Sequence, residues 1–410
     1  MPQDVGADLS IGERVRMHRR RRGLTQEEAA GLAGVSVSLW RKWESGARAV
    51  GRFSQLLQIA RALRVNDLRD ITGQPLSAGP NGQPRHEAVE MLRPVLVRHP
   101  SLLPASDPPA LDELERRTER AWDAAQASSP WRYAHTGAVL PDLVSDAERA
   151  VRGYDGDELR RAVAVAGSVY LLARAWLKWV GEHDLALLCA ERSLSIAERS
   201  NDLAMRGAAA WNMAQALSTR GETAEVRAVT DDALRLLADD VRSEHAPPEL
   251  LSAWGALHLI GMVGAARDDD QADGRRLLAG AGRAAARLGG DRNDFRMAFG
   301  PTNVAIHRVA YSVELGHSRT AVRGAAGLDI GRAPSVERRV SHRLDVAQSR
   351  TRLREDVPAL RILIEAESES PEQVYYSVTA RAMLREMLRR ETPSTRPLLR
   401  PLAERVGVLT

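Results

Sequence analysis

The chain has 410 residues, more than one ordinary hydrophobic core accommodates, so we expect at least two domains. Aromatic residues are only 4% of the chain, and helix-favouring Ala, Leu, Arg and Glu dominate, which predicts an all-α protein. The single cysteine, Cys189, excludes an intramolecular disulfide framework and favours a reducing compartment. A signal peptide pattern and membrane-length apolar runs are lacking, so we expect a cytoplasmic protein that does not enter a membrane.

Positive charge is concentrated at the beginning of the sequence. Residues 1–75 contain thirteen Arg and Lys against eight Asp and Glu, although the formal charge of the whole chain is only +4. The rest of the chain therefore carries almost no net charge. This asymmetry indicates that the first segment alone binds a polyanion.

The first 73 residues predict five short helices, over residues 11–21, 25–33, 37–45, 54–63 and 66–72. Gly23 ends the first, and Thr25 with Glu28 forms a capping box at the start of the second. Gly34 supplies the tight turn and Ser36 caps the third helix. Two short helices joined by a glycine turn are typical of a helix-turn-helix.

Four short runs occur here at a characteristic spacing, at residues 24–28, 34–36, 43–46 and 56–63. In these runs the sequence resembles the phage-repressor-like (XRE, Cro/C1-type) regulators. The proline that often follows the recognition helix in that family is replaced by residues 49–52. The resemblance implies that the third helix enters the major groove of operator DNA.

The resemblance also implies roles for individual positions. Lys42 would contact a guanine, Val37 a thymine methyl, and Gln26 a phosphate or the base-edge network. The full set of predicted DNA contacts is Arg20, Arg21, Gln26, Ser36, Val37, Ser38, Arg41, Lys42 and Arg48, with Arg52 as a further phosphate candidate.

Three residues of this segment are interpreted as structural. Trp40 and Trp43 fall where the family buries apolar residues, so we expect them in the core rather than stacked on bases. Arg19 matches a position that is salt-bridged internally in some relatives, with Glu44 as its partner. A phosphate contact remains the alternative for Arg19.

A proline-rich segment follows the helix-turn-helix. Eight of the 20 prolines lie between Pro75 and Pro109, which predicts a linker over residues 74–110. One short helix is expected around residues 86–97, interrupted at Pro94. Helical periodicity then continues over residues 111–410.

This last segment contains internal repeats. Gly181 and Gly221 lie 40 residues apart, with apolar residues at matching offsets, and Gly316 anchors a third unit. Each unit predicts a helix, a glycine turn and a helix, about five pairs in all between residues 150 and 390. The pattern resembles a tetratricopeptide (TPR) array and implies an α-solenoid with a concave groove. Phage-repressor-like domains joined to such arrays form a known class of bacterial regulators, some responsive to signalling peptides. Residues 299–310 resemble a segment common in its actinobacterial members.

Polar and aromatic residues recur at helical spacing in the predicted array. Asn303, His307 and Tyr311 follow one another at intervals of four residues and form one stripe. Such stripes predict a groove that binds a peptide or a flat small molecule. Hydrogen bonding between helices is the alternative interpretation. The full set of predicted ligand contacts is Trp211, Gln215, Trp254, His258, Asn303, His307 and Tyr311.

Catalytic and metal-binding patterns are missing from the sequence. Its ten histidines are scattered and no phosphate-binding glycine loop is present, so we expect neither an enzyme nor a metal or cofactor. The sequence predicts a homodimeric regulator that binds a palindromic DNA operator and responds to a peptide or small-molecule effector. The alternative is a DNA-localised scaffold whose array docks a protein partner.

Overall fold

A computed structural model describes residues 9–48, 50, 53–65, 69–72, 86–99 and 107–409. Every regular element in these ranges is helical, which confirms the all-α class. Arg52, residues 66–68 of the fifth predicted helix, and residues 74–85 and 100–106 of the predicted linker lie outside the described residues.

The described residues of the N-terminal domain, which we call the head, form five helices: α1 Ile11–Arg21, α2 Gln26–Ala33, α3 Val37–Glu44, α4 Phe53–Leu63 and α5 Arg69–Thr72. Local chemistry determines where they begin and end. The hydroxyl of Thr25 accepts a hydrogen bond from the Glu28 amide, and the Glu28 carboxylate accepts one from the Thr25 amide. Gly34 ends α2 in the left-handed region, with φ 66°. Ser36 caps α3 by accepting from the Leu39 amide at 3.1 Å.

The core of the head contains two tryptophans of α3. Trp40 and Trp43 are fully buried and pack edge to face, with ring centroids 6.0 Å apart. Val15 and Ile59 pack into the same cluster from α1 and α4. The prediction that both tryptophans belong to the core is confirmed.

The helix expected inside the predicted linker is present as α6, Ala88–Val97. The predicted interruption is wrong, because Pro94 lies inside this helix and the helix continues to Val97. Leu92 and Leu96 are completely buried in the core formed with the later helices, and this packing stabilises the turn that contains the proline. Residues 88–97 therefore belong to the packed C-terminal region.

The C-terminal region begins with α7 Leu111–Gln126 and α8 Arg132–Gly153. Five helical hairpins follow: α9 Gly156–Trp179 with α10 His183–Glu198, α11 Leu203–Arg220 with α12 Thr223–Arg242, α13 Pro248–Arg267 with α14 Gln271–Leu288, α15 Pro301–Glu314 with α16 Ser318–Ala325, and α17 Val336–Arg352 with α18 Asp356–Glu369. The last described helices are α19 Pro371–Tyr376, α20 Val378–Arg389 and α21 Arg396–Arg405.

The turn inside each hairpin contains one residue with a left-handed backbone. These residues are Gly181, Gly221, Asp269, Gly316 and Arg354, with φ between 61° and 84°. The first helices of successive hairpins pack against one another, so their turns lie at the same end of the layer. We call this series of turns the turn row. Two of its five left-handed residues, Asp269 and Arg354, are not glycine, so glycine spacing in the sequence reveals only three of the five turns.

Helix α13 is the central helix of this layer. It is the one helix among the described residues with the length and mean hydropathy of a membrane span, yet 89% of that window is buried within the fold. Its Gly255 allows the Phe299 ring to pack directly on the helix backbone, because a Cβ at this position would lie 1.8 Å from the ring. Burial on all sides accounts for the apolar sequence of α13.

Candidate nucleic-acid interface and central cavity

Glu44, at the end of α3, is the buried acceptor that joins the helices of the head. Its carboxylate accepts hydrogen bonds from Arg19 Nη2 at 3.0 Å, Gln26 Nε2 at 2.8 Å and Trp40 Nε1 at 2.8 Å. Burial opposes ionisation, but these hydrogen bonds outweigh it, so the pKa of Glu44 lies below its ordinary value. The structure contains the expected Arg19–Glu44 pair, and it places Gln26 in the same network beside α3.

Four of the predicted base-contacting residues share one side of α3: Arg41 lies four positions after Val37, and Lys42 lies four positions after Ser38. Arg41 is exposed. Lys42 instead forms an ion pair with the turn row, with its Nζ 2.9 Å from Asp269 Oδ1. Burial opposes ionisation of Asp269, but hydrogen bonds from Lys42 and Ser38 lower its pKa overall. One carboxylate of the C-terminal region therefore binds two residues of the predicted DNA-reading face.

Arg48 makes the second ionic contact between the head and the turn row. Its Nη2 lies 2.9 Å from Glu314 Oε2, and its Nη1 donates to the carbonyl oxygen of Ala266 at 3.3 Å. Only 2% of the Arg48 side chain is exposed. The predicted phosphate contact of Arg48 therefore cannot form in this arrangement.

Two further contacts come from the loops and from α4. Gln58 Nε2 donates to the carbonyl oxygen of Gly221 at 3.0 Å. At Gly316, a Cβ would lie 3.0 Å from the carbonyl oxygen of Ala47, so glycine allows the two backbones to approach closely. The head thus contacts the second, third and fourth turns of the row. We call this the closed arrangement.

Arg20, Arg21 and Ser36 are the remaining predicted DNA contacts. Arg20 and Arg21 are exposed near the end of α1, where a phosphate could reach them. The Ser36 hydroxyl caps α3. A crevice of about 820 Å³ separates α2 and α4 from the first two turns of the row, beside Gly181 and Gly221.

A central cavity of about 340 Å³ lies among the first helices of the hairpins and the beginning of α20. Of the predicted ligand contacts, Gln215 and His307 line it, and Trp211 lines an adjoining space of about 40 Å³ together with Gln215. His307 Nδ1 donates to the carbonyl oxygen of Asn303 at 2.9 Å, and burial lowers the pKa of His307 to about 3. This imidazole is therefore neutral, with Nε2 left as a hydrogen-bond acceptor.

The other predicted ligand contacts, Trp254, His258, Asn303 and Tyr311, do not line the central cavity. The Tyr311 hydroxyl donates to the carbonyl oxygen of Gln271 at 3.0 Å. The His258 ring packs 4.9 Å from the Trp254 ring, and its Nδ1 lies 3.0 Å from the Trp254 carbonyl oxygen. Asn303 is buried in the first turn of α15, one turn before His307. The predicted stripes are thus divided between the cavity and helix contacts, and the ligand role of these residues stays a prediction.

Sequence reasoning missed the residues that join the two parts of the chain. Asp269 follows the apolar helix α13 within a run of three aspartates, at the position that glycine occupies in other turns. That run of aspartates is the sequence signal from which Asp269 could have been identified. Within the described ranges, no group of three or more His, Cys, Asp or Glu side chains is arranged to hold a metal ion.

Comparison with known proteins agrees with the geometry of the head. Residues 10–70 match the family model described as a helix-turn-helix domain. No curated protein matches the chain. The chain therefore carries an N-terminal helix-turn-helix domain, the kind of domain with which regulators bind duplex DNA, followed by a helical C-terminal region.

Proposed function

We propose that this protein is a sequence-specific transcriptional regulator whose C-terminal region controls access of α3 to DNA. The observation that carries the proposal is the engagement of Lys42 and Ser38 by Asp269. A recognition helix must enter the major groove with these side chains facing base edges. In the closed arrangement the turn row occupies that side of α3, so DNA binding requires the head to separate from it.

The charges at this contact support the proposal. Lys42 and Arg48 of the head meet Asp269 and Glu314 of the turn row, at 2.9 Å in both pairs. Carboxylates that bind Lys and Arg occupy them in the way DNA phosphates do, since both are anionic oxygen acceptors. The same cations cannot pair with the turn row and with DNA, and the two states therefore exclude each other.

The head resembles phage-repressor-like regulators and the hairpin array resembles a TPR solenoid, and we propose that the protein belongs to the actinobacterial type of this combined class. A single head contacts few base pairs, so we propose a cytoplasmic homodimer that binds a palindromic operator with half-sites about one helical turn apart. The last helices, residues 374–390, are the proposed dimer contact. Light scattering at micromolar concentration, with and without DNA, tests this: a monomer under both conditions contradicts it.

We further propose that a peptide or small-molecule effector shifts the balance between closed and open heads. Gln215 and His307 at the central cavity are the predicted ligand contacts best placed for this, with Trp211 adjoining. The cavity and the head contact share Arg267 and Glu314, because Arg267 Nε lies 3.6 Å from the carboxylate that binds Arg48. An effector that changes this group therefore acts on the head directly.

The proposal is tested by selecting bound duplexes from a random-sequence library with the purified full chain. We expect enrichment of a two-fold symmetric sequence. Lys42→Ala should relax the preference at one base position. The lost base contact costs about 1–3 kcal/mol on the selected duplex, and loss of the ion pair with Asp269 offsets part of that cost on every duplex. Arg332→Ala, at an exposed arginine that pairs with Asp329 in the C-terminal region, is the control.

If no sequence is enriched, the proposal of sequence-specific regulation fails. Retained binding to all duplexes would instead favour the alternative, a DNA-localised scaffold whose array docks a protein partner. Identical effects of Lys42→Ala on selected and scrambled duplexes would contradict the placement of α3 in the groove.

A further inference from the structure

Part of the wall of the central cavity is apolar and aromatic. Trp179 and Tyr376 line it, together with Ile260, Val263 and Leu344. Its volume of about 340 Å³ lies within the range of sites that bind small organic molecules.

Near Glu337, the lining carries more cations than this one carboxylate can balance. Lys178 Nζ lies 3.1 Å from Glu337 Oε1, and Arg338 Nε lies 3.6 Å from the other oxygen of the same carboxylate. Arg174 is buried close behind them, and its Nε donates to the neutral side-chain oxygen of Asn212. One carboxylate therefore serves three cationic side chains.

The other charged groups around the cavity do not remove this excess. Glu314 is shared by Arg48 and Arg267, and Asp345 lies close enough to Arg352 to favour its charged form. The lining of the cavity and its adjoining space thus has three carboxylates, Glu314, Glu337 and Asp345, and five cations, Arg174, Lys178, Arg267, Arg296 and Arg338, of which Arg296 pairs with Glu119 and Asp123 instead.

The histidines of the cavity add no charge near neutral pH. Burial lowers the pKa of His183 to about 4 and that of His307 to about 3. Burial also lowers the pKa of Lys178, and it lowers that of Arg174 to about 10, because these cations have lost water without gaining a full complement of anionic partners. The positive excess of the cavity therefore comes from lysine and arginine side chains and not from histidine.

We infer that the central cavity is a binding site for a small organic anion, whose carboxylate, sulfonate or phosphate group pairs with Arg338 and whose apolar or aromatic body packs against Trp179 and Tyr376. Among the described residues, Glu337 is the ion-pair partner of Arg338, and 3.6 Å is beyond hydrogen-bond distance. The guanidinium donors of Arg338 therefore remain available to an incoming anion.

The inference rests on the proposed function only in that it gives the proposed effector a chemical class. Its test needs no DNA. The probe is 1-anilinonaphthalene-8-sulfonate, an aromatic anion whose fluorescence rises in apolar surroundings. The comparison probe is N-phenyl-1-naphthylamine, which has the same aromatic skeleton without the sulfonate. Both are titrated into the full chain.

We expect one saturable site per chain for the sulfonate and weaker binding of the neutral probe. Arg338→Gln should weaken sulfonate binding about tenfold, because a charge-assisted hydrogen bond is lost, whereas Arg338→Lys should retain most of it. Arg332→Gln, at an exposed arginine outside the cavity, is the matched control and should change nothing.

A second variant guards against misfolding of the first. Ala310→Phe adds bulk at the cavity wall without altering any charge, and it should also abolish the sulfonate site. Equal affinity for the two probes, or unchanged sulfonate binding in both Arg338→Gln and Ala310→Phe, would overturn the inference. Duplex binding is measured separately, so a failed cavity site with normal duplex binding leaves the proposed function standing, and the converse leaves the site standing.

Discussion

Replacing Asp269 with asparagine should release the head from the turn row. Asn has nearly the same size as Asp and can still accept a hydrogen bond from Ser38, but it cannot form the ion pair with Lys42. The DNA-contacting side chains of the head remain unchanged. Any gain in duplex affinity then reports the energy of the closed arrangement.

The expected magnitude follows from the geometry of the pair. The Lys42 and Asp269 side chains are 24% and 13% exposed and lie 2.9 Å apart, so solvent screens them less than an ordinary surface pair. Surface pairs contribute up to about 1 kcal/mol and hydrogen bonds to charged groups about 1.5–3 kcal/mol. We take about 1.4 kcal/mol for this contact, which corresponds to a tenfold change in an equilibrium constant.

The apparent duplex affinity equals the intrinsic affinity multiplied by the fraction of open heads. While the closed arrangement dominates, Asp269→Asn should therefore tighten duplex binding about tenfold. The gain should be equal on selected and scrambled duplexes, because the closed arrangement hides the same face of α3 from both. Fluorescence anisotropy with labelled duplexes at constant salt measures it.

The matched control is Asp268→Asn, one residue earlier in the chain. Asp268 pairs with Thr223 and Arg227 of the C-terminal region, and no hydrogen bond or ion pair joins it to the described part of the head. Asp268→Asn removes the same charge as Asp269→Asn at a neighbouring position. Equal gains in the two variants would mean that net charge alone acts, and no gain in Asp269→Asn would refute the closed arrangement as an affinity-limiting state.

Three further predictions follow from the packing and the charges. Because the pKa of Glu44 is lowered in the folded head, its ionised carboxylate stabilises the head above pH 4.5, and this contribution is lost as the pH falls through the lowered pKa. Glu44→Gln should therefore lower the free energy of unfolding by about 3 kcal/mol at pH 7. It should also flatten the acid side of the profile of stability against pH, measured by tryptophan fluorescence. Gly255→Ala should lower the free energy of unfolding by about 1–3 kcal/mol, because the added Cβ meets the Phe299 ring. Gly282→Ala is the control: this helical glycine faces open space, so the change should raise the free energy of unfolding by up to about 1 kcal/mol. Thermal melts of both variants measure the difference. Arg21→Ala should weaken binding to selected and scrambled duplexes alike and reduce the slope of log affinity against log salt by about 0.9, and an unchanged slope would remove Arg21 from the phosphate contacts.

The elements of the head were predictable because local chemistry determines them. The capping box of Thr25 and Glu28, the left-handed Gly34 and the Ser36 cap each act within a few residues, and α1 and α3 have the expected positions to within one residue. The five hairpins were predicted in number, although Asp269 and Arg354 replace glycine in two of the turns. The hydrophobic periodicity of the helices on either side of a turn does not depend on which residue forms the turn.

The candidate sites were less predictable because they depend on contacts between distant segments. Lys42 and Asp269 are 227 residues apart in the chain, and no local pattern connects them. The stripe of Asn303, His307 and Tyr311 is a true helix face, but neighbouring helices cover part of it, and Tyr311 is bonded to the carbonyl of the residue that begins α14. The packing of neighbouring helices decides which residues of a stripe border a cavity. The periodicity of a single sequence does not show how those helices pack.

In the proposed regulator, the turn row is a competitor tethered to the head. A tethered partner is present at a constant, high effective concentration whatever the number of protein molecules in the cell. It lowers specific and non-specific binding by the same factor, so it leaves sequence discrimination intact while fewer heads are occupied by the large excess of random genomic DNA. Because Lys42–Asp269 and Arg48–Glu314 are ionic, added salt loosens the tethered competitor and the DNA complex together. The full chain should therefore lose affinity with rising salt less steeply than its phosphate contacts alone would dictate.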